Sequence, residues 1–256
     1  MLLTIDIGNT NVLMGLFDQG KLRCHWRLVS TIQRTSDEWG SLIFLQLQRV
    51  NLPLTDVAGV IISSVVPLHD FAFSRMTLDY FQKEAIFVRS ELDLGISIKY
   101  KQPEHVGADR LCNAVAAVQK FSTPIIVIDF GTATTFDVIN KEGEYLGGII
   151  APGIETAASI LHRQAAKLPV VGMSFPDKVI GQTTESSIQS GILYGALVET
   201  EGLIKRIEDE LGSPAEIVGT GGFAPLLSQH TTVIKYIEPF LTLEGLYIIY
   251  QRINHS

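Results

Sequence analysis

The chain has 256 residues, of which 46% are hydrophobic and 18% charged, and this composition can supply a large buried core. Its length allows roughly one or two domains. The formal net charge of −7 argues against nucleic acid or an anionic membrane as a partner. The two cysteines, Cys24 and Cys112, are too few for a disulfide framework or a thiolate metal site, which favours a reducing compartment.

The sequence shows no sign of export or of membrane insertion. The N-terminal segment has no basic region, and the acidic residue Asp6 follows after only five residues, unlike in a signal peptide. The longest apolar run, 57–68, is too short to span a bilayer and contains Pro67. We therefore expect a soluble cytoplasmic protein with no membrane partner.

The first part of the chain is predicted to form a three-stranded meander followed by alternating helices and strands. Short apolar runs separated by turn residues predict the strands, and Ser36 begins a helix signal. A near-continuous apolar strand is typical of burial on both faces. The predicted elements are strands 2–6, 12–17 and 21–28, a helix starting at 36–38, a strand at 57–63, a helix at 70–83, a strand at 86–88 and a loop at 91–106.

The second part repeats this pattern after a connecting helix over 107–120. The region 184–211 is long enough for one helix or a broken pair, because three glycines interrupt it. The other predicted elements are strands 125–129, 134–139 and 144–150, a helix at 154–166, a loop at 169–183, a strand at 215–218, a turn at 219–222 leading into a helix, a strand at 233–237 and a closing helix at 241–253.

A repeated motif supports an internal duplication. Asp6 and Gly8 follow the first strand, and Asp129 and Gly131 stand at the same points of the second meander. For one copy alone, a hairpin whose aspartate caps its own turn is an equally good interpretation. Two copies instead favour a two-sided phosphate and metal site. We predict two domains, 1–117 and 118–256, and the closing helix could return to the first.

Four stretches carry small and polar residues that packing alone does not require. Turn amides, hydroxyls and helix N-termini bind phosphate, and a carboxylate at a strand end can hold Mg²⁺. The four stretches are DIGNTN at 6–11, GADR at 107–110, DFGTATT at 129–135 and GTGG at 219–222.

Two of these stretches have simpler interpretations. In one of them, Asp109 only interacts favourably with the dipole of the helix whose first turn contains it, and Arg110 lies on the surface. The glycines at 219–222 could form a plain turn, or part of a G-x-G-x-x-A dinucleotide motif ending at Ala224, with Glu238 about 20 residues further on. Too little chain follows for a dinucleotide fold, and nothing upstream offers a hydride-transfer site. The chain contains no P-loop sequence.

Taken together, the motifs resemble those of type III pantothenate kinases, members of the acetate/sugar kinase, heat-shock chaperone and actin superfamily. The resemblance covers nearly the whole chain, and GADR followed by DFGTATT is its most specific part. Thr183 departs from the family pattern, which more often has Asn or Ser there. The other matching stretches are DIGNTN at 6–11, Tyr100 and Pro103 before VGADR at 106–110, GGIIAPG at 147–153, Gly181 to Gly191 around Thr184, and GTGG at 219–222.

The resemblance implies an α/β protein of two duplicated ribonuclease-H-like (actin-like ATPase) domains with a nucleotide cleft between them. Its implied reaction is ATP-dependent phosphorylation of pantothenate to 4′-phosphopantothenate, which opens coenzyme A biosynthesis. ATP would contact Thr132, and its phosphates would bind the first turn and its flanks, namely Asp6, Ile7, Gly8, Asn9, Thr10, Asn11, Val12 and Leu13.

The resemblance also implies roles for metals, substrate and a partner subunit. Asp129 is similar to the residue that binds K⁺ or NH₄⁺, Asp6 would act through Mg²⁺, and Asp109 matches the proposed general base. The implied assembly is a homodimer whose substrate pocket draws on the neighbouring subunit. The positions that match pantothenate-binding residues are Tyr100, Gly107, Ala108, Asp109, Arg110 and Thr184.

Two other functions remain open at this level. One is a kinase for another small alcohol or acid, because a fold does not fix its substrate. The other is an ATP-binding regulatory module that has lost turnover. The presence of Asp109 together with Asp6 and Asp129 argues against the second.

Overall fold

The computed structural model describes residues 1–165 and 167–254, and its contacts divide the chain into two compact units. The first unit comprises Met1–Gln119 and the chain from Phe240 onward, and the second comprises Lys120–Pro239. The division near 119 lies close to the predicted boundary at 117. The second unit ends at Pro239 rather than at 256, because the closing helix packs with the first unit.

The first unit contains a mixed five-stranded sheet in the order β3-β2-β1-β4-β5. Strands β1 to β3 form the antiparallel meander, whereas β4 and β5 run parallel to β1. Strand β1 is almost wholly buried, while β3 alternates between exposed and half-buried residues because it lies at the edge. The strands are Leu2–Ile7 (β1), Asn11–Asp18 (β2), Lys21–Val29 (β3), Gly59–Ser64 (β4) and Ile86–Phe87 (β5).

Helix α1, Ser36–Arg49, shows how local sequence sets an element in this unit. Thr35 and Glu38 form a capping box, in which the Thr35 N–H donates to Glu38 Oε2 at 2.8 Å. Buried Trp39, Ile43 and Leu47 then recur every four residues and pack into the core. The other helices here are α2 (Pro67–Met76), extended by a π-helical turn at Thr77–Phe81, α3 (Ala108–Lys120) and the closing helix (Leu241–Asn254).

The return of the closing helix depends on one close approach to α3. A Cβ at Gly245 would lie 2.0 Å from the Cys112 carbonyl oxygen, so only glycine lets the two backbones meet. Beside this contact, the Thr242 hydroxyl donates to Asn113 Oδ1 at 2.8 Å in a buried position. These contacts explain why the first unit, and not the second, contains the last helix.

The second unit repeats the sheet of the first, in the order β8-β7-β6-β9-β10. Its first three strands again form an antiparallel meander, and β9 and β10 run parallel to β6. The predicted duplication is therefore confirmed. The strands are Ile125–Phe130 (β6), Ala133–Ile139 (β7), Tyr145–Pro152 (β8), Glu216–Thr220 (β9) and Tyr236–Ile237 (β10), the last shorter than predicted.

The helices of the second unit are α4 (Ile154–Gln164), α5 (Thr184–Leu211) and α6 (Ala224–Ser228). Helix α5 is one continuous helix of 28 residues, which decides between the two predicted forms. The predicted end of α4 at 166 lies outside the described residues. Within 1–165 and 167–254, no helix is both long and apolar enough to cross a membrane.

A buried polar pair lies inside the second sheet. The Tyr145 hydroxyl donates to Asp137 Oδ1 at 2.8 Å, and both residues are 0% exposed. A hydrogen bond to a charged group is worth more than one between neutral groups. This bond therefore contributes to the stability of the β7–β8 pairing.

We expect Tyr145→Phe to lower the free energy of unfolding by about 1.5–3 kcal/mol, because a buried carboxylate loses a donor. Tyr80→Phe is the matched control, since the Tyr80 hydroxyl donates to the Asp37 carbonyl oxygen at 3.3 Å on the surface. Chemical unfolding of both variants measures the difference. Equal losses would mean that the buried bond adds nothing to stability.

Candidate active site

The carboxyl ends of the parallel strands β1, β4 and β5 meet at one edge of the first sheet. Asp6, the penultimate residue of β1, pairs with Ser63 of β4 on one side and with Leu13 of β2 on the other. Its side chain is half-buried, and the Ser63 hydroxyl is buried with no hydrogen-bond partner within residues 1–165 and 167–254. In α/β sheets, ligands bind outside such an edge.

The turn between β1 and β2 exposes polar groups at this edge. Asn9 and Thr10 are exposed, and the Gly8 N–H donates to the Asn11 carbonyl oxygen at 3.0 Å. Ile7 and Val12, also predicted to contact nucleotide, are 0% exposed, so they can offer only backbone groups. An exposed turn of this kind provides amides and a hydroxyl suited to phosphate.

The start of α3 places Asp109 in a confined position. The Arg110 N–H donates to Asp109 Oδ1 at 2.8 Å, and a Cβ at Gly107 would lie 2.4 Å from the same oxygen. Glycine at 107 thus leaves room for the carboxylate. Arg110 is 7% exposed, so the interpretation of this residue as a surface arginine is wrong.

Asp6 and Asp109 belong to one electrostatic environment. Burial raises the pKa of the Cys112 thiol well above its usual value, and the charges of Asp6 and Asp109 raise that pKa further. Burial also raises the pKa of Asp109 itself, against the opposing effects of the Arg110 N–H and charge. The fold therefore brings together two carboxylates that lie over 100 residues apart in the sequence.

A cavity of about 490 Å³ lies beside the start of α3, within the first unit. Gly107 and Ala108 line it together with Ser64 and Asp70, and the Ser64 hydroxyl donates to Asp70 Oδ1. Sequence reasoning did not single out Ser64 or Asp70, although polar residues directly after a buried strand are a signal for such an edge. Tyr100 lies on the long loop, is 38% exposed and is not among the lining residues.

The second unit places Asp129 at the equivalent point of its sheet. Asp129 pairs with Thr135 of β7 and Thr220 of β9. Gly221 follows with a φ of +86°, and a Cβ there would lie 2.4 Å from Asp129 Oδ1. Only glycine fits after β9, because a Cβ at Gly221 would also lie 2.7 Å from the Phe130 backbone, so the turn packs directly against the Asp129 carboxylate.

This geometry also bears on the dinucleotide interpretation of residues 219–222. Gly219 and Thr220 belong to β9, and the helix that follows has only five residues. Strand β10 is two residues long, so no second half of a dinucleotide fold follows. The structure argues against a dinucleotide site here.

Thr132 and Thr184, two other predicted contacts, lie at different places in the second unit. Thr132 is exposed in the turn after β6, where its carbonyl oxygen accepts from the Gly153 N–H at 3.2 Å and the Thr156 hydroxyl at 2.6 Å. Thr184 is the first residue of α5 and lines a separate cavity of about 700 Å³ with Gly181. That cavity is bounded by α5 and the segment before it.

The predicted metal sites use single carboxylates rather than a cluster. Among the described residues, no group of three or more His, Cys, Asp or Glu side chains could hold a metal ion. Mg²⁺ in nucleotide sites usually keeps several waters and binds one or two carboxylates together with phosphates. Asp6, half-buried beside an exposed turn, fits that kind of ligand.

Comparison with known proteins gives a family match and a set of structural neighbours. The family model of type III pantothenate kinases matches residues 2–206. A Campylobacter jejuni protein assigned to the Baf family of transcriptional activators is 17% identical, with a TM-score of 0.65 over 99% of this chain and 100% of that chain.

Two further solved structures are similar. A Sinorhizobium meliloti protein assigned as a 2-dehydro-3-deoxygalactonokinase is 11% identical, with a TM-score of 0.62 over 99% of this chain and 97% of that one. The activator of 2-hydroxyisocaproyl-CoA dehydratase from Clostridium difficile, solved with bound ADPNP, is 14% identical, with a TM-score of 0.55 over 100% and 96%. At these identities the neighbours show the fold alone, and they confirm the predicted actin-like α/β class.

The raised pKa of Asp109 predicts how stability depends on pH. A carboxyl group with a higher pKa in the folded state binds more protons there, so its ionisation costs stability as pH rises above its ordinary value. We expect Asp109→Asn to be more stable than the wild type at neutral pH, with the gap closing below about pH 4. Thermal unfolding across pH measures this.

Asp93→Asn provides a contrast of opposite sign. The hydrogen bond from Arg252 lowers the pKa of Asp93, so its charged form stabilises the fold above its ordinary pKa and this is lost on acidification. The Asp93 variant should lose a little stability at neutral pH. A loss of stability in the Asp109 variant as well would contradict the assigned burial.

Proposed function

Because the chain belongs to the type III pantothenate kinase family, the protein is a kinase, and we propose that it transfers the γ-phosphoryl group of ATP to the primary hydroxyl of pantothenate. The product would be 4′-phosphopantothenate, the first intermediate of coenzyme A biosynthesis. The observation that carries the proposal within this chain is that Asp6 ends β1 beside an exposed turn, at the sheet edge where Ser64 and the start of α3 line one cavity.

The first turn would bind the ATP phosphates. Phosphoryl transfer asks a protein mainly to position the reactants and to neutralise charge. The exposed amides of the turn, including that of Asn9, suit phosphate oxygens. Asp6 would hold Mg²⁺, which supplies positive charge to the phosphates when it is bound.

Asp109 would accept the proton of the substrate hydroxyl. A carboxylate whose pKa is raised by burial is a stronger base than one in water, which suits proton abstraction near neutral pH. Gly107, Ala108 and Arg110 would bind pantothenate, and the buried guanidinium of Arg110 is a cation suited to the pantothenate carboxylate. Tyr100 and Thr184 complete the proposed substrate contacts, with Thr184 supplied by the neighbouring subunit of a homodimer.

The second unit would contribute to nucleotide and cation binding. Thr132 would contact ATP, and Asp129 would bind K⁺ or NH₄⁺. Gly221 places the backbone of the turn after β9 directly beside Asp129 Oδ1, where no side chain fits. Thr135 and Thr220, which neighbour Asp129 in the ladder, carry hydroxyl oxygens of the kind that such cations prefer.

A coupled assay with ATP, Mg²⁺, K⁺ and pantothenate tests the reaction, and other small alcohols and hydroxy acids serve as competing acceptors. Pantothenate should be phosphorylated with the highest kcat/KM. A better acceptor among the others would identify a kinase of another substrate. Nucleotide binding without transfer to any acceptor would instead indicate a regulatory module.

We expect Asp109→Asn to lower turnover by about 10²–10⁴, because a positioned base contributes that much to rate. Its affinity for ATP should stay close to wild type, since Asn keeps the size and the acceptor for the Arg110 N–H. Steady-state kinetics and nucleotide binding on one preparation measure both. Asp93→Asn controls for removal of an exposed carboxylate, and near-normal turnover in the Asp109 variant would exclude Asp109 as the base.

Activity with Na⁺ as the only monovalent cation should be far below that with K⁺ or NH₄⁺. In Gly221→Ala, the added methyl would collide with the Asp129 carboxylate and displace it, so the stimulation by K⁺ should be lost. Gly143→Ala is the matched control, because Gly143 has a similar φ of +77° but open space around it. The rates are measured in the chloride salts of Na⁺, K⁺ and NH₄⁺. Equal rates in all three salts would show that Asp129 does not bind an activating cation.

A further inference from the structure

One residue outside the predicted motifs holds both ends of the first turn. Ser30 directly follows β3 and is 4% exposed. Its N–H donates to the Thr10 carbonyl oxygen at 3.1 Å, and its hydroxyl donates to the Gly8 carbonyl oxygen at 2.7 Å. Ser30 thus binds the two carbonyl groups that flank the exposed residue Asn9.

These bonds determine where the turn directs its amides. A trans peptide unit is planar, so its C=O and N–H point in opposite directions. When Ser30 holds the Gly8 carbonyl on its own side, the Asn9 N–H of the same peptide unit must point away from Ser30. The orientation of an exposed amide suited to phosphate is therefore set by a hydroxyl 21 residues further along the chain.

Ser30 is in turn held by His69, from the first turn of α2. His69 Nε2 lies 2.8 Å from the Ser30 carbonyl oxygen, and a carbonyl oxygen only accepts, so Nε2 carries the hydrogen. His69 is 4% exposed and packs edge-on against Trp39 and Phe73. Its Nδ1 is buried and has no hydrogen-bond partner among the described residues, so the hydrogen bond of the ring is the one that Nε2 makes.

The second unit holds its own turn in a comparable way. The residue that follows β8 is Gly153, and its N–H donates to the Thr132 carbonyl oxygen, as the Ser30 N–H does to Thr10. A hydroxyl, here from Thr156 of α4, again adds a second bond to a turn carbonyl. In both copies, the residue after the third strand donates its N–H to a carbonyl oxygen of the turn. This restraint on the turn therefore belongs to the duplicated fold and not to one loop alone.

We propose that Ser30 and His69 are positioning residues that fix the first turn for binding the ATP phosphates. The inference rests on the proposed role of that turn in nucleotide binding. Neither side chain touches substrate in this proposal, because Ser30 acts through the Gly8 peptide and His69 acts through Ser30. The alternative is that the two residues only stabilise the fold, as any buried hydrogen bonds do.

The test compares removal of each group with a conservative replacement. Ser30→Ala removes the hydroxyl and Ser30→Thr keeps it, while His69→Leu removes the ring N–H and His69→Gln places a donor at similar reach. Thr4→Val is the matched control, because it removes a buried hydroxyl that donates to the Gly15 carbonyl oxygen at 3.0 Å in the same sheet. Calorimetry with a non-hydrolysable ATP analogue and Mg²⁺ measures nucleotide affinity, and steady-state kinetics measure KM for each substrate.

We expect Ser30→Ala and His69→Leu to weaken nucleotide binding about tenfold, the effect of losing roughly one hydrogen bond. Ser30→Thr and His69→Gln should recover most of the affinity. The KM for pantothenate should change by less than about twofold, and Thr4→Val should bind nucleotide like the wild type.

A purely structural role gives a different pattern. In that case Ser30→Ala and His69→Leu would lower the unfolding temperature as Thr4→Val does, yet bind nucleotide normally, and the inference would be wrong. It would also be wrong if the folded Thr and Gln variants bound nucleotide no better than Ala and Leu, or if the wild type bound no nucleotide. Nucleotide binding needs no phosphoryl acceptor, so a wild type that binds the analogue but leaves pantothenate unchanged would contradict only the proposed reaction.

Discussion

The parallel pairing of β1 with β4 is the constraint on which the candidate site depends. Because both strands run in the same direction, their carboxyl ends reach one edge of the sheet, and Asp6 and Ser63 lie side by side there. The loops after β4 and β5 and the start of α3 then line one cavity at that edge. An antiparallel partner in place of β4 would carry those loops to the opposite edge. Both strands are buried on both faces, so a slip of one residue would move Ile5 and Ile62 to the opposite face of the sheet and change the packing of both layers.

The electrostatic arrangement at this edge works against stability in a way typical of functional sites. The charges of Asp6 and Asp109 both raise the pKa of the buried Cys112 thiol, and burial raises the pKa of Asp109, so that carboxylate ionises at a cost to the fold. A protein selected only for stability would place a neutral side chain at Asp109, because Asn keeps the bond from the Arg110 N–H. The glycine at 107 adds to this argument, since a side chain there would collide with the Asp109 carboxylate.

Much of the fold followed from local sequence, whereas several residues of the site did not. The Asp-Gly repeat at Asp6 and Asp129 predicted the duplication, and apolar runs placed most strands within one or two residues. Ser30 and His69 carry no local signal, because their bonds to the turn and to each other join residues 22 and 39 positions apart. The closing helix is a similar case. Its place is decided at Gly245, and the sequence does not show that this glycine meets Cys112.

The duplication also shows how the two copies have diverged. Ser63 and Thr220 are the ladder partners of Asp6 and Asp129, so Ser64 and Gly221 occupy equivalent positions after them. In the first copy the Ser64 side chain fills this position and donates to Asp70. In the second copy this position has no side chain, because a Cβ at Gly221 would collide with Asp129 Oδ1 and with the Phe130 backbone. The position beside the first aspartate therefore carries a side chain that hydrogen-bonds within its unit, whereas at the position beside the second the backbone itself packs against the carboxylate. The two aspartates are equivalent in their ladders, yet different groups lie next to them.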